Sequence, residues 1–439
     1  MSAKSYLKYT AIVAVSAANL MAYMPAKAQT IAAVSTKNCL RLADVLKLSA
    51  ERDPAVFIAR GFETEADSQI TEAKSLFRPR VSAFGRSGAG NTGIVDSGVS
   101  NQAGIRASQR IFDFGDAKYA RRSAQSDFEA SAEDTRQARY AAARETGESF
   151  LNLLEAEEQI ALTSRRREYF SQQLAATDRL LQSGAATRTE RAAVASQLAD
   201  AESFVLELEF RRESALAQVQ IDTESRVNHC ANEIGTNNLL KNNFVRLQNE
   251  EVAAQSAIAN NPNIRSLDKR ADSLEFAKER EKRSRLPILE VVATGAYSSF
   301  GGFGQFEFQE RIGLNVTVPL YAGNSIGARR KGAGAREAVA RGRVLDAQRE
   351  LRKDVSIGYR RIASLEKQLI SRQDVEDQTR LQFEAAELEQ KAGTQTLRDL
   401  IEIRLEYEQA GLQKLNVKYD LERERLNILA LTAALPIDN

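Results

Sequence analysis

Few residues in this chain have side chains suited to bond-making chemistry. The 439 residues hold one histidine, His229, and two cysteines, Cys39 and Cys230. A histidine-based triad or a multi-histidine metal site is therefore nearly excluded. The sequence has no Gly-rich phosphate loop, no nucleophile elbow and no metal-ligand cluster, so it argues against an enzyme and implies no cofactor. What recurs is a Gly-x-x-Thr unit followed three residues on by an acid. It reads Gly184-Ala185-Ala186-Thr187 with Glu190, and Gly393-Thr394-Gln395-Thr396 with Asp399. Glycine breaks a helix and accepts a positive φ, threonine caps the helix that returns, and the acid sits where the helix dipole favours negative charge. On its own this chemistry is structural.

The elements that carry these turns come in two copies. Asp53-Pro54 and Asn261-Pro262 are matching helix starts, 208 residues apart, and Pro79 and Pro287 close the following helices at the same spacing. Gly104 and Gly313 open matching strands, and Ile111-Phe112 matches Leu320-Tyr321, both at 209. Gly184 and Thr187 match Gly393 and Thr396 at 209 again. One offset held along the chain is evidence of internal duplication.

Each copy reads as helix, strand, loop, strand, very long helix, tight turn, long helix. Repeat 1 covers residues 29–230, with strands at about 81–86 and 103–112 and long helices at about 116–182 and 189–227. Repeat 2 covers 231–439, with strands at about 289–297 and 311–320 and long helices at about 325–390 and 396–430. The Asn-rich residues 228–243 read as a linker between copies. A helix over 116–182 is roughly 100 Å long. Ala142, Thr146, Ser149, Leu153, Ala156 and Ile160 step by four and three, as do Val344, Ala347, Leu351 and Val355. Such seams want neighbouring helices. On the helices alone, a soluble coiled-coil rod is the simpler reading.

The strands shift that balance. In residues 311–320, Ile312, Leu314, Val316, Val318 and Leu320 alternate with mostly polar residues such as Arg311, Asn315 and Thr317. One face is apolar and the other polar. Four strands leave two bare edges, whereas a bilayer admits only closed barrels, and small barrels start near eight strands. The sheet therefore closes with copies of itself or stays out of the membrane. Tyr297, Phe300, Phe303, Phe306 and Phe308 cluster near one strand end, and Phe84, Phe112, Phe114 and Tyr321 near the other, as two aromatic girdles would.

The first 28 residues look like an export signal. Lys4 and Lys8 form a basic region, residues 10–24 are mostly apolar, and Ala26-Lys27-Ala28 fits a cleavage site. The alternative is an N-terminal membrane anchor, for which the apolar run is short. In an oxidising compartment Cys39 and Cys230 either pair or remain two buried thiols. A net charge of +2 gives no case for nucleic acid.

Several of these features together resemble the TolC-type outer-membrane efflux proteins. They are the paired copies, Leu76-Phe77-Arg78-Pro79 and Arg285-Leu286-Pro287 before strands, and Ile111-Phe112-Asp113 and Pro319-Leu320-Tyr321-Ala322-Gly323 after them. The resemblance implies an α+β membrane protein acting as a homotrimer. Four strands per chain would build a shared twelve-stranded β-barrel in outer-membrane lipid, continued by a long α-helical barrel in the periplasm. It implies a passive exit duct docked through a periplasmic adaptor to an inner-membrane pump, with protein or small-molecule cargo. The turns at Gly184, Thr187, Gly393 and Thr396 would form the periplasmic tips and the adaptor-docking surface. By the same resemblance Asp399 and Glu402, with Glu190, carry over to acids that narrow the pore. Gln390 and Gln395 stand where some relatives have the tyrosine and arginine that hold the mouth shut, so that latch does not carry over; Arg188 and Arg398 flank the turns. The alternative function is a periplasmic coiled-coil adaptor or scaffold, a class that lacks matched strand pairs.

Overall fold

The computed structural model describes residues 39–90, 98–225, 236–247, 249–300 and 307–437. The described residues belong to one compact unit. The expected export signal, residues 1–28, lies outside the described residues.

Two short helices, α1 (Leu42–Arg52) and α2 (Pro54–Ser75), lead into strands β1 (Arg80–Gly90) and β2 (Gly98–Phe112). Helices α3 (Asp116–Gln182) and α4 (Arg188–Asp222) form a long hairpin. Helices α5 (Thr236–Val245), α6 (Glu250–Asn260) and α7 (Pro262–Lys282) then lead to β3 (Ile288–Phe300) and β4 (Glu307–Thr317). A second hairpin, α8 (Ser325–Lys391) and α9 (Leu397–Leu431), ends the described chain. Helix α5 occupies part of the stretch expected to be a linker. Asp53 and Asn261 cap α2 and α7 through their side chains, with proline at the first turn of each.

The four strands make one antiparallel sheet in the order β1-β2-β3-β4. β1 and β4 are its edges. Three strands run beyond the expected ends, β1 to Gly90, β2 from Gly98 and β3 to Phe300, whereas β4 starts early at Glu307 and stops at Thr317, short of the expected Leu320, because Pro319 has no N–H to continue the ladder. A ladder joins backbones, so a Gly/Ser/Asn-rich stretch sustains it without apolar side chains. Gly104 is consequently inside β2 rather than at its start. A Cβ there would come within 2.4 Å of the Gly295 carbonyl oxygen and 2.6 Å of the Ala296 Cβ. Gly313 likewise sits within β4.

Strand turns into helix by the same device in both copies. At the first junction Phe114 and Gly115 have φ of 51° and 94°; at the second Gly323 and Asn324 have φ of 57° and 63°. The buried Asp113 carboxylate fixes the first bend. It accepts the Gly115 N–H at 3.0 Å and the Ala117 N–H at 2.8 Å, and Arg110 donates to it at 3.3 Å. Leu42, Leu46, Phe150, Leu153, Leu426 and Ile428 are fully buried in the main core, where α1 and the C-terminal end of α9 meet the middle of α3. Seam residues Val194, Ala201, Val205 and Leu208 of α4 are buried, as are Leu351, Val355, Gly358 and Ile362 of α8.

Candidate functional site: helix tips, a polar stripe and the two sheet faces

Both hairpins turn in the same way. Gly184 and Gly393 take φ of +79° and +77°. The Gly184 N–H donates to the Leu181 carbonyl at 3.1 Å and the Ala185 N–H to that of Leu180 at 2.8 Å. Gly393 and Thr394 repeat this toward Gln390 and Glu389 at 3.1 and 3.0 Å. Both are Schellman caps, which need a residue tolerant of the left-handed region.

The returning helices differ. Thr187 and Glu190 form a reciprocal box. The Glu190 N–H donates to the Thr187 hydroxyl oxygen at 3.1 Å, and the Thr187 N–H donates back to the Glu190 carboxylate at 2.7 Å. Backbone and then side-chain bonds from Thr187 hold the Glu190 carboxyl below its usual range. At the second tip the Asp399 N–H donates to the Thr396 hydroxyl oxygen at 3.2 Å, and that hydroxyl donates to the Asp399 carboxylate at 2.7 Å. Asp399 and Glu402 are exposed and Glu190 is half-buried. Arg191 of α4 pairs with Asp178 of α3 at 2.5 Å across the first hairpin, whereas Arg188 and Arg398 form no ion pair among the described residues.

Asp399 and Glu402 belong to a longer pattern. Asp399, Glu402, Glu406, Gln409, Gln413, Asn416 and Asp420 step by three and four along α9. They make one polar stripe on a helix whose opposite side is buried. Glu402, Glu406, Gln409 and Gln413 line a groove with Val375 and Thr379 of α8, and Gln409, Asn416 and Asp420 line another against α3 and α4. A search for apolar seams passes over this stripe, although its coiled-coil spacing is visible in the sequence.

Above the tips, Arg404 and the buried Glu408 of α9 join the hairpins. Arg404 donates to Glu408 at 2.7 Å, and Arg166 of α3 approaches the other carboxylate oxygen at 3.4 Å. Burial pushes the Glu408 carboxyl above its usual range, with Arg404 and Arg166 opposing.

At the other end of the long helices, the sheet separates its faces by register. Val81, Ala107, Ala293 and Ile312 lie in one cross-strand row, and Val291 opposes Leu314. Side chains of Val81, Ile105, Ile312 and Leu314 are 70, 59, 80 and 59% exposed, a contiguous apolar face with no cover within the chain. Tyr297 and Phe308 pair at 5.0 Å at one margin, and Phe112 and Phe114 at 4.6 Å at the other. Phe303 and Phe306 lie outside the described residues. Phe84, expected in the second aromatic group, sits instead in the middle of β1 on the polar face, in a row with Gly104, Ala296 and Gln309. Among the described residues, five polar ones share the apolar face: Ser87, Asn101 and Ser299 make one row beyond the Tyr297–Phe308 pair, and Gln109 and Glu310 stand within the band from Leu289 to Tyr297. Gln109 donates to the Phe77 carbonyl at 3.2 Å, and Glu310 lies one row from the Tyr297–Phe308 pair.

Cys39 is disulfide-bonded; Cys230 and His229 lie outside the described residues. Among the described residues no group of acids, histidines or cysteines is arranged to hold a metal ion. No described helix is long and apolar enough to cross a membrane.

The described chain thus combines two long antiparallel hairpins, a polar stripe along α9 and a two-faced four-stranded sheet. Residues 45–221 and 253–434 match the family model for outer membrane efflux proteins. The chain belongs to that family, whose members are passive outer-membrane channels and not enzymes. No curated protein matches it significantly. Among solved structures it is similar to the CmeC outer membrane channel of Campylobacter jejuni, at 18% identity and TM-score 0.71 over 91% of this chain and 87% of that one. It is similar to the open state of the MtrE outer membrane channel of Neisseria gonorrhoeae, at 15% identity and TM-score 0.72 over 90% and 89%. It is also similar to the outer membrane protein VceC of Vibrio cholerae, at 13% identity and TM-score 0.71 over 90% and 96%.

Proposed function

We propose that this chain is the exit duct of a tripartite export system. Three copies close their sheets into a twelve-stranded barrel, and the helical hairpins extend the conduit through the periplasm. The supporting observation is the pair of bare edges, β1 and β4, on a sheet whose one face is apolar and uncovered. Only closure satisfies those edge backbones in lipid. From Leu289 to Tyr297 the apolar face spans about 26 Å of strand. Tilted as barrel strands are, this gives about 20 Å of height, close to an outer-membrane apolar band.

The mouth lies at the tips formed by Gly184, Thr187, Gly393 and Thr396, which dock a periplasmic adaptor coupled to an inner-membrane pump. The α9 stripe faces the bore. Three copies of Asp399 and Glu402 then gather six carboxylates around one axis, and Glu190 stands at the rim. Like charges so placed attract cations. The duct passes protein or small-molecule cargo as the pump selects it, so type I secretion and drug efflux both suit these residues. We further assign the disulfide partner of Cys39 to Cys230.

The test is ion selectivity in planar bilayers. Wild-type channels prefer cations, and Asp399→Asn with Glu402→Gln lowers the cation-to-anion permeability ratio. A ratio unmoved by the double substitution rules out the pore-lining role of these acids.

A further inference from the structure

The polar face of the sheet carries a charge pattern opposite in sign to the tips. Register places Ser82, Arg106, Thr294 and Arg311 in one cross-strand row. Arg106 and Arg311 flank Thr294 two strands apart, about 10 Å. Both are exposed, and neither forms an ion pair among the described residues. The Arg106 guanidinium lies 5.4 Å from the Phe84 ring centroid and that of Arg86 lies 5.6 Å from the same ring. One aromatic ring thus steadies two cations on this side of the sheet. Glu290 and Glu307 share the face, but each lies four residues along its strand from the row, about 13 Å. That exceeds the Debye length of about 8 Å at physiological ionic strength. Arg110, by contrast, is neutralised by Asp113 and Asp116 at 3.3 and 3.2 Å.

We propose that the Arg106–Arg311 row is a binding station for multivalent oxyanions inside the barrel. The proposal rests on the reading above, in which three copies close with the polar face inward. Strand tilt of 35–45° offsets residues two strands apart by about 6 Å in height. Six guanidinium groups then form two staggered rings of three. Each is a planar fork suited to phosphate or carboxylate oxygens. The duct has an acidic periplasmic end and a basic outer end, and a multivalent anion entering from outside meets the basic section first.

The experiment uses the full-length protein in planar bilayers, with inorganic tripolyphosphate added on the barrel side. Wild-type current is blocked, and Arg106→Gln with Arg311→Gln raises the half-blocking concentration about tenfold or more. If the glutamine pair fails to assemble, Arg106→Lys with Arg311→Lys replaces it. That pair raises the half-blocking concentration about threefold or more, because an ammonium lacks the fork. No block of the wild type, or an unchanged half-blocking concentration in the variant, overturns the proposal. Absence of any conducting trimer is a different result and counts against the channel reading instead.

Discussion

Arg404 donates to Glu408 one helical turn along α9 at 2.7 Å, and its guanidinium lies 4.7 Å from the Tyr169 ring centroid and 4.6 Å from that of Phe383. Tyr169 is on α3 and Phe383 on α8, so one side chain ties both hairpins close to the tips. Arg166, beside the same carboxylate, extends the link to Gln197 of α4 at 2.9 Å. Breaking a buried pair from one side leaves a charge uncompensated and costs about 3–5 kcal/mol. Glu408→Ala is therefore expected to lower the thermal unfolding midpoint of the detergent-solubilised protein, followed by circular dichroism. Replacing both partners, Arg404→Met with Glu408→Leu, recovers most of the loss. A double variant as unstable as the single one contradicts this.

The tip glycines act through backbone conformation alone. A Cβ on Gly184 or Gly393 meets nothing within 4 Å, yet both residues have positive φ. Alanine at either position costs about 1–2 kcal/mol of local stability. Hydrogen exchange should quicken in the last turn of α3 for Gly184→Ala and of α8 for Gly393→Ala, and stay unchanged in the core. Unaltered exchange at the tips would show that the left-handed caps are dispensable.

Two carboxyls give opposite pH responses. Glu190 has a lowered pKa in the folded chain, so its capping contribution is present above the ordinary value of 4.5 and fades as pH falls through the folded value. Glu408 has a raised pKa, so its contribution is full below 4.5 and is lost as pH rises through the folded value. Exchange corrected for intrinsic rates should show the start of α4 loosening toward acid while the Arg404 region tightens. Parallel behaviour at both places is incompatible with these assignments.

Much of the architecture was readable because duplication imposes one offset on residues of unmistakable type: proline at helix starts, glycine at tips, apolar–polar alternation in strands. What escaped has physical causes. Helix α1 has Arg41 at its N-cap with no side-chain cap bond, and α5 lies in an Asn-rich stretch of poor helix formers. Both α1 and α5 are held by packing that a local reading does not see. The strand extensions depend on backbone pairing. Residue type alone groups Phe84 with the aromatics of one strand end, whereas its face follows from register. Arg404 and Glu408 look like an ordinary surface pair at i, i+4; only the rings arriving from α3 and α8 make them a junction.

The assigned Cys39–Cys230 disulfide closes a long loop that includes the whole first hairpin. Such a bond contributes about 2–5 kcal/mol. Cys230→Ser should therefore lower the unfolding midpoint, and the wild-type protein should resist maleimide labelling until reduced. Full labelling of the unreduced, denatured wild type would exclude the bond.

Electron cryomicroscopy of the purified protein in lipid nanodiscs tests the closure of the sheet most directly. The expected map has three-fold symmetry, with β4 of each copy hydrogen-bonded to β1 of the next, the Ile312–Leu314 face turned to lipid and a hollow bore between the hairpins. A particle holding a single copy, its β1 and β4 edges unpaired by another chain and no bore along the helices, would contradict the account.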